Sequence, residues 1–308
     1  DYAPETVAAR TGIAAPRIKA LAAEIAANAG RIAMAHFGKS PARWDKADGS
    51  PVCAADMAVN DYLKGVITAA RPDDGWLSEE SADSAARLER RRVWVIDPID
   101  GTRSFTEGAD TWAHAIAVAE HGQIISAVVY LPLRNLLYTA SRGRGAYLNG
   151  VPIRASEVAD FGQATILAAK PAMAPSAWRS GVCPNFTPAY RPSLAYRLGL
   201  VAQAKFDAML TLRASWEWDI AAGALIVEEA GGRITDWEGN PLGMGSDVRV
   251  AAAATPETAA KARRRRRRLD RPGAVRHLPR ALRRRAVSPR EIVMGPPLPS
   301  VPSSRPFP

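Results

Sequence analysis

Val93-Trp94-Val95-Ile96-Asp97-Pro98-Ile99-Asp100-Gly101-Thr102 is the stretch on which the reading of this chain turns. Val93 to Ile96 form a short β-prone run that ends in Asp97, Pro98 and a Gly101-Thr102 turn, which predicts carboxylates at the carboxyl end of a strand. Asp97 and Asp100 stand three residues apart around a stiff proline turn, so both side chains and the intervening Ile99 carbonyl can converge on one point. Glu79-Glu80 precede this stretch, and Trp218-Asp219-Ile220-Ala221-Ala222-Gly223 follow far downstream. Taken singly, an Asp-Pro turn, a Glu pair in a loop and an Asp near a helix start all have bland readings as turn, solvated loop and cap. Together, in this order, they suggest one metal site, because hard cations such as Mg²⁺ want oxygen ligands and a phosphate-receiving site needs several carboxylates plus open positions.

Outward from this core, apolar residues at Ile18, Leu21, Ala22, Ile25, Ala29, Ile32 and Ala33 predict an amphipathic helix over 16–37, ended by Gly38. Residues 46–51 read as a loop, and 54–70 return to helical spacing with Asp56 near the start. Residues 113–118, 124–130 and 136–139 read as strands of an antiparallel meander that closes on an Asn149-Gly150 hairpin. Helices are expected over 193–204 and 218–230, the latter closed by Gly231-Gly232, and last strands over 233–236 and 248–252.

The net charge of +10 is unevenly placed, since residues 261–308 hold 15 Lys/Arg against 2 Asp/Glu and leave 26 basic and 29 acidic side chains in residues 1–260. That terminal segment includes the run Arg263–Arg268 and 9 of the 24 prolines, and with no core-forming pattern it reads as a disordered tail. A nucleic-acid-binding function would rest on this tail alone, as non-specific phosphate contact. Two cysteines, Cys53 and Cys183, cannot make a disulfide framework and fit a reducing cytoplasm. No apolar run is long enough to span a bilayer, and the start lacks the layout of a signal peptide, so the expected location is cytoplasmic. The four histidines, His36, His114, His121 and His277, show no ligand spacing and argue against a zinc site.

In residues 94–102 and 218–223, with Ser78-Glu79-Glu80-Ser81 and the helix around Asp56, the sequence resembles the inositol monophosphatase superfamily of metal-dependent, lithium-sensitive phosphatases. The resemblance covers roughly residues 16–255. It implies an α/β (α+β) fold, a layered α/β/α/β/α sandwich, with a phosphatase domain over 1–260 in two sub-domains of about 1–150 and 151–260, followed by the 261–308 tail. Carried over by position, it makes Glu79, Asp97 and the Ile99 carbonyl ligands of one Mg²⁺, with Asp97, Asp100 and Asp219 holding a second. Glu79 would help to hold a third through water. Thr102 and Asp56 would orient the attacking water, and Gly101 and Thr102 would offer backbone N–H groups to the phosphate. Relatives commonly carry Thr where this chain has Cys53.

Substrate choice must be read from the second half of the chain. Inositol-specific members place a carboxylate shortly before the second motif's Asp, a region held here by Thr211 and Leu212. Arg103, Arg197 and Arg213, together with Tyr196 and Trp216, instead look like the bacterial CysQ type of 3'(2'),5'-bisphosphate nucleotidase, in which an arginine fork would take a second phosphate and an aromatic face the base. Adenosine 3',5'-bisphosphate is the first expected substrate and an inositol or related sugar phosphate the second. The expected partners are thus a small phosphorylated substrate and, as in relatives, a second copy of the chain in a homodimer.

Overall fold

Two helices, α1 (Ala15–His36) and α2 (Ala54–Ala70), cover one face of a seven-stranded sheet, and both agree with the predicted spans to within a residue. In this computed structural model the described residues are 15–253, apart from 48, 179, 213–214, 237–239 and 243–249, and all belong to one unit, residues 1–271. The tail, 261–308, lies outside the described residues, as do His277, Arg213 and the first two residues of the strand expected over 248–252.

In chain order the strands are β1 (Arg43–Asp45), β2 (Pro51–Cys53), β3 (Gly75–Ser78), β4 (Arg92–Asp100), β5 (Ala113–Glu120), β6 (Gln123–Leu131), β7 (Leu136–Ser141), β8 (Ala146–Leu148), β9 (Val151–Ile153), β10 (Thr165–Ala168), β11 (Thr187–Ala189), β12 (Ala208–Leu210), β13 (Arg233–Asp236) and β14 (Val250–Ala253). The remaining helices are α3 (Thr102–Thr106), α4 (Leu194–Ala202) and α5 (Glu217–Glu229). The large sheet runs β3-β4-β5-β6-β7-β8-β9, parallel only between β3 and β4, so the expected meander is present and gains one parallel edge strand. A second sheet runs β11-β10-β12-β14-β13 and mixes parallel with antiparallel pairs. β1 and β2 form a small separate hairpin.

Alternation along the strands sorts side chains between two cores. Trp94, Ile96, Ile116 and Val118 face α1 and α2, where Ile25, Ala29, Val59, Leu63 and Ile67 meet them. Val95, Ala115, Ala117, Ala127 and Val129 face the opposite way, against Leu198, Val201, Leu225 and Ile226 of α4 and α5 and Leu167, Met209 and Ile234 of the second sheet. Because both faces of the large sheet are buried, β5 and β6 read as nearly unbroken apolar runs. The alanines on the α5 side admit close packing, and a Cβ built on Gly223 of α5 would lie 2.6 Å from Leu198 Cβ. On its far face the second sheet carries Phe161, Trp178 and Phe186, gathered beneath the 3-10 turns Lys170–Met173 and Pro175–Ala177. The result is the expected layered α/β sandwich, with short turns in its outermost layer among the described residues.

Candidate active site

β4 continues four residues past Ile96 and carries the site within it. A regular strand sends residues three apart to opposite faces, which would separate Asp97 from Asp100. The register prevents this: Asp97 pairs with Ala115 and Asp100 with Ala113, so two residues of β4, Pro98 and Ile99, stand opposite the single residue His114. That bulge turns both carboxylates to one side.

α5 delivers the third. Asp219 is the third residue of α5, and its Oδ2 accepts from the Trp216 backbone N–H at 2.9 Å. The same device sets Asp56, third residue of α2, whose Oδ2 accepts from the Cys53 backbone N–H at 2.9 Å. Each acid answers an orphan amide at a helix start and is thereby locked in one rotamer. One carboxylate oxygen from each of Asp97, Asp100 and Asp219 lies within 4.8 Å of the others, and all three residues are buried.

Three carboxylates cannot share so small and dry a volume as bare charges. Burial, then Glu79, Asp100 and Asp219, push the Asp97 carboxyl well above its ordinary range, and burial raises Asp100 as well. Asp97 Oδ1 is buried without a hydrogen-bond partner. An all-oxygen donor set with one such oxygen fits a hard cation. Asp100 Oδ2 is held by Ser193 Oγ–H at 2.6 Å and the Ala195 N–H at 2.6 Å, at the start of α4.

Thr102 opens α3, and its hydroxyl lies 3.0 Å from Asp56 Oδ1 and 3.2 Å from the Ile99 carbonyl. Burial pushes Asp56 up to about 6, while hydrogen bonds from Cys53 and Thr102 oppose the rise. Cys53 Sγ–H donates to Asp56 Oδ2 at 2.8 Å, and burial lifts that thiol to about 12, so Cys53 serves as a neutral donor. Gly101 sits at φ +100°, and a Cβ there would come 3.3 Å from the Thr111 carbonyl, so both conformation and space call for glycine.

Glu79 stands at the rim, its Oε1 2.8 Å from Lys46 Nζ, with Glu80 Oε1 2.6 Å from the same nitrogen. Burial pushes Lys46 down, but the two carboxylates more than offset it and hold the ammonium above its ordinary value; burial and Glu79 raise Glu80 to about 7. Sequence reading passed over Lys46, which only opens a predicted loop, and over the part of Ser193, whose backbone at φ +62° is left-handed and which caps α4 while holding Asp100.

The proposed substrate residues divide. Arg103 is exposed on α3. Arg197 is half-buried on α4, its Nε–H 2.5 Å from the Arg191 carbonyl and its guanidinium 4.8 Å from the Tyr190 ring centroid, close enough to Asp100 to lower that carboxyl. Arg213 lies outside the described residues. Tyr196, expected as an aromatic face for a base, is instead a core residue, 3% exposed, with its hydroxyl accepting from Arg134 at 3.3 Å. Trp216 is 52% exposed and stacks on Trp218 at 5.2 Å between centroids.

The chain is similar to known proteins over most of its length. A histidinol-phosphatase of Chlorobaculum parvum is 33% identical over 71% of this chain and 85% of its own, and an inositol-1-monophosphatase of Mesorhizobium japonicum is 33% identical over 63% and 75%. A Streptomyces griseus protein named glucose-1-phosphate thymidylyltransferase is 34% identical over 71% and 85%. The solved extragenic suppressor protein suhB from Bartonella henselae superposes with a TM-score of 0.71 at 26% identity, over 80% of this chain and 97% of that one. The Inositol monophosphatase family model matches residues 16–270, and the chain therefore belongs to the inositol monophosphatase family of metal-dependent phosphatases.

Proposed function

We propose that this phosphatase is a Mg²⁺-dependent phosphomonoesterase that converts adenosine 3',5'-bisphosphate to AMP and phosphate. The observation that carries the substrate reading is the exposed Trp216 ring, stacked on Trp218 and three residues before Asp219, which offers a flat aromatic face at the start of the helix that carries Asp219. Arg197, close to Asp100, supports a second phosphate. Arg103 and Arg213 are the further candidates for that phosphate.

Glu79, Asp97, the Ile99 carbonyl, Asp100 and Asp219 would hold the metal, two or three ions per site. When bound, Mg²⁺ neutralises the buried carboxylates, polarises phosphate oxygens and acidifies water. The protein's own part is proton handling and positioning. Asp56, ionised near neutral pH, accepts the Thr102 hydroxyl proton at Oδ1, while Thr102 Oγ1 accepts a proton from the attacking water. The water oxygen forms the new P–O bond, the ester P–O bond breaks, and the leaving alkoxide takes its proton from solvent. Gly101 and Thr102 would offer their backbone N–H groups, at the start of α3, to the transferred phosphoryl. A water-orienting pair favours hydrolysis over nucleotidyl transfer.

A second reading is favoured by the names of the relatives: histidinol phosphate also presents a flat ring to Trp216, whereas inositol 1-phosphate does not. Phosphate release with Mg²⁺ from adenosine 3',5'-bisphosphate, histidinol phosphate and inositol 1-phosphate tests the choice. The proposal expects the highest kcat/KM for the bisphosphate and a selective loss of it in Arg197→Ala. A higher kcat/KM for histidinol phosphate, with Trp216→Ala harming that substrate most, would replace the nucleotidase reading.

A further inference from the structure

His114 plays no part in the chemistry above, yet it is the one residue of β5 that stands opposite the Pro98-Ile99 bulge. Its side chain is fully buried, with Nδ1 hydrogen-bonded to the Pro98 carbonyl and Nε2 without a partner. Trp112 packs edge-on at 5.5 Å and Tyr130 lies at 6.4 Å between centroids, so aromatic walls hold the imidazole in place. A buried imidazole with half of its hydrogen-bonding capacity unmet is costly to keep for packing alone.

The carbonyl can only accept, so Nδ1 carries the proton and the ring is the Nδ1–H tautomer. Within the bulge the Pro98 carbonyl accepts from His114, while the Ile99 carbonyl lies 3.2 Å from Thr102 Oγ1, so the two carbonyls are held by different partners. The peptide planes that carry these two carbonyls, Pro98–Ile99 and Ile99–Asp100, lie between the two carboxylates, with the second ending at the Asp100 Cα and the first beginning at the residue next to Asp97. We infer that His114 is a positioning residue: its Nδ1–H bond to the Pro98 carbonyl sets the bulge of β4, and through it the aim of Asp97, the Ile99 carbonyl and Asp100 at the metal. The inference rests on the metal assignment above. Partners of this outer kind orient ligands without touching the ion.

The test is Mn²⁺ binding, read by the electron spin resonance of free Mn²⁺, to the full chain without substrate. The unmodified protein should bind. His114→Val removes the donor and should weaken binding by about tenfold to a hundredfold. His114→Asn, whose amide nitrogen can take the place of Nδ1, should bind close to the unmodified protein, while His114→Gln, whose amide reaches further, should resemble the valine variant. Equal binding by unmodified and valine proteins, or an asparagine variant as weak as the valine one, would overturn the inference and leave the metal site standing. No Mn²⁺ binding by the unmodified protein would sink the metal assignment and this inference with it. If the variants do not fold, nitrogen NMR of the unmodified protein decides: a protonated Nδ1 is expected, and a protonated Nε2 would overturn the role.

Discussion

Thr102 Oγ1 lies 3.0 Å from Asp56 Oδ1, joining residues 46 positions apart at the junction of α2 and α3. Asp56 is fixed by its other oxygen to Cys53, so this contact sets where the hydroxyl can accept a proton. Thr102→Ala should lower kcat by about a hundredfold or more, with little change in KM, because a positioned proton acceptor is lost while substrate binding remains. Thr102→Ser should restore most of the rate. A loss confined to KM would count against the relay.

The acid limb of the kcat profile reports Asp56. Its carboxyl is pushed up to about 6 by burial and must be ionised to accept a proton, so activity should be lost as pH falls through about 6. The Cys53 thiol donates to this carboxylate and holds it down. Cys53→Ala should therefore move the limb to higher pH, and Cys53→Ser should leave it nearly in place. A limb that ignores both substitutions would remove Asp56 from the proton path.

Stability should show the strain of the carboxylate cluster. Asp97, Asp100, Asp56 and Glu80 all have folded-state values raised above ordinary ones, to about 6 for Asp56 and about 7 for Glu80, so the folded chain holds protons more tightly than the unfolded one. With this sign, their protonation favours the fold at low pH, and that advantage is lost as pH rises through about 6 to 7. Without metal, Asp97→Asn should melt higher than the unmodified protein at pH 8, because it removes a buried charge. Added Mg²⁺ should raise the unmodified melting temperature by several degrees, since about 2.7 kcal/mol accrues at a hundredfold excess over Kd, and should do little for Asp97→Asn. Equal Mg²⁺ responses in the two proteins would contradict the assignment.

Much of this was legible because the decisive signals are local. The helical periods of α1 and α2, the Asn149-Gly150 hairpin and the acids at 97, 100 and 219 are each set by a few neighbouring residues. What escaped is what only tertiary packing supplies. β10, β11 and β12 are three or four residues long and too short to show a period. The bulge of β4 exists only relative to β5, so the sequence alone shows a proline turn between Asp97 and Asp100 and not a slip in register. Tyr196 and Trp216 look alike as aromatic candidates, and only burial separates core from surface. Lys46 gave no signal, because its partners lie 33 and 34 residues away.

Gly223 tests the packing that presents Asp219. Its α5 backbone lies so close to Leu198 of α4 that Gly223→Ala should cost about 1–3 kcal/mol of stability, as overpacked cores do. Urea unfolding at pH 7.5 would measure it, and an unchanged midpoint would mean that the two helices separate readily.

The most direct measurement is phosphate release from adenosine 3',5'-bisphosphate by the full chain, with and without Mg²⁺, beside Asp97→Asn and Asp219→Asn. The account predicts turnover that requires Mg²⁺ and falls to background in both variants, each still folded. Turnover that persists with chelator present, or near-normal rates in either variant, would contradict it.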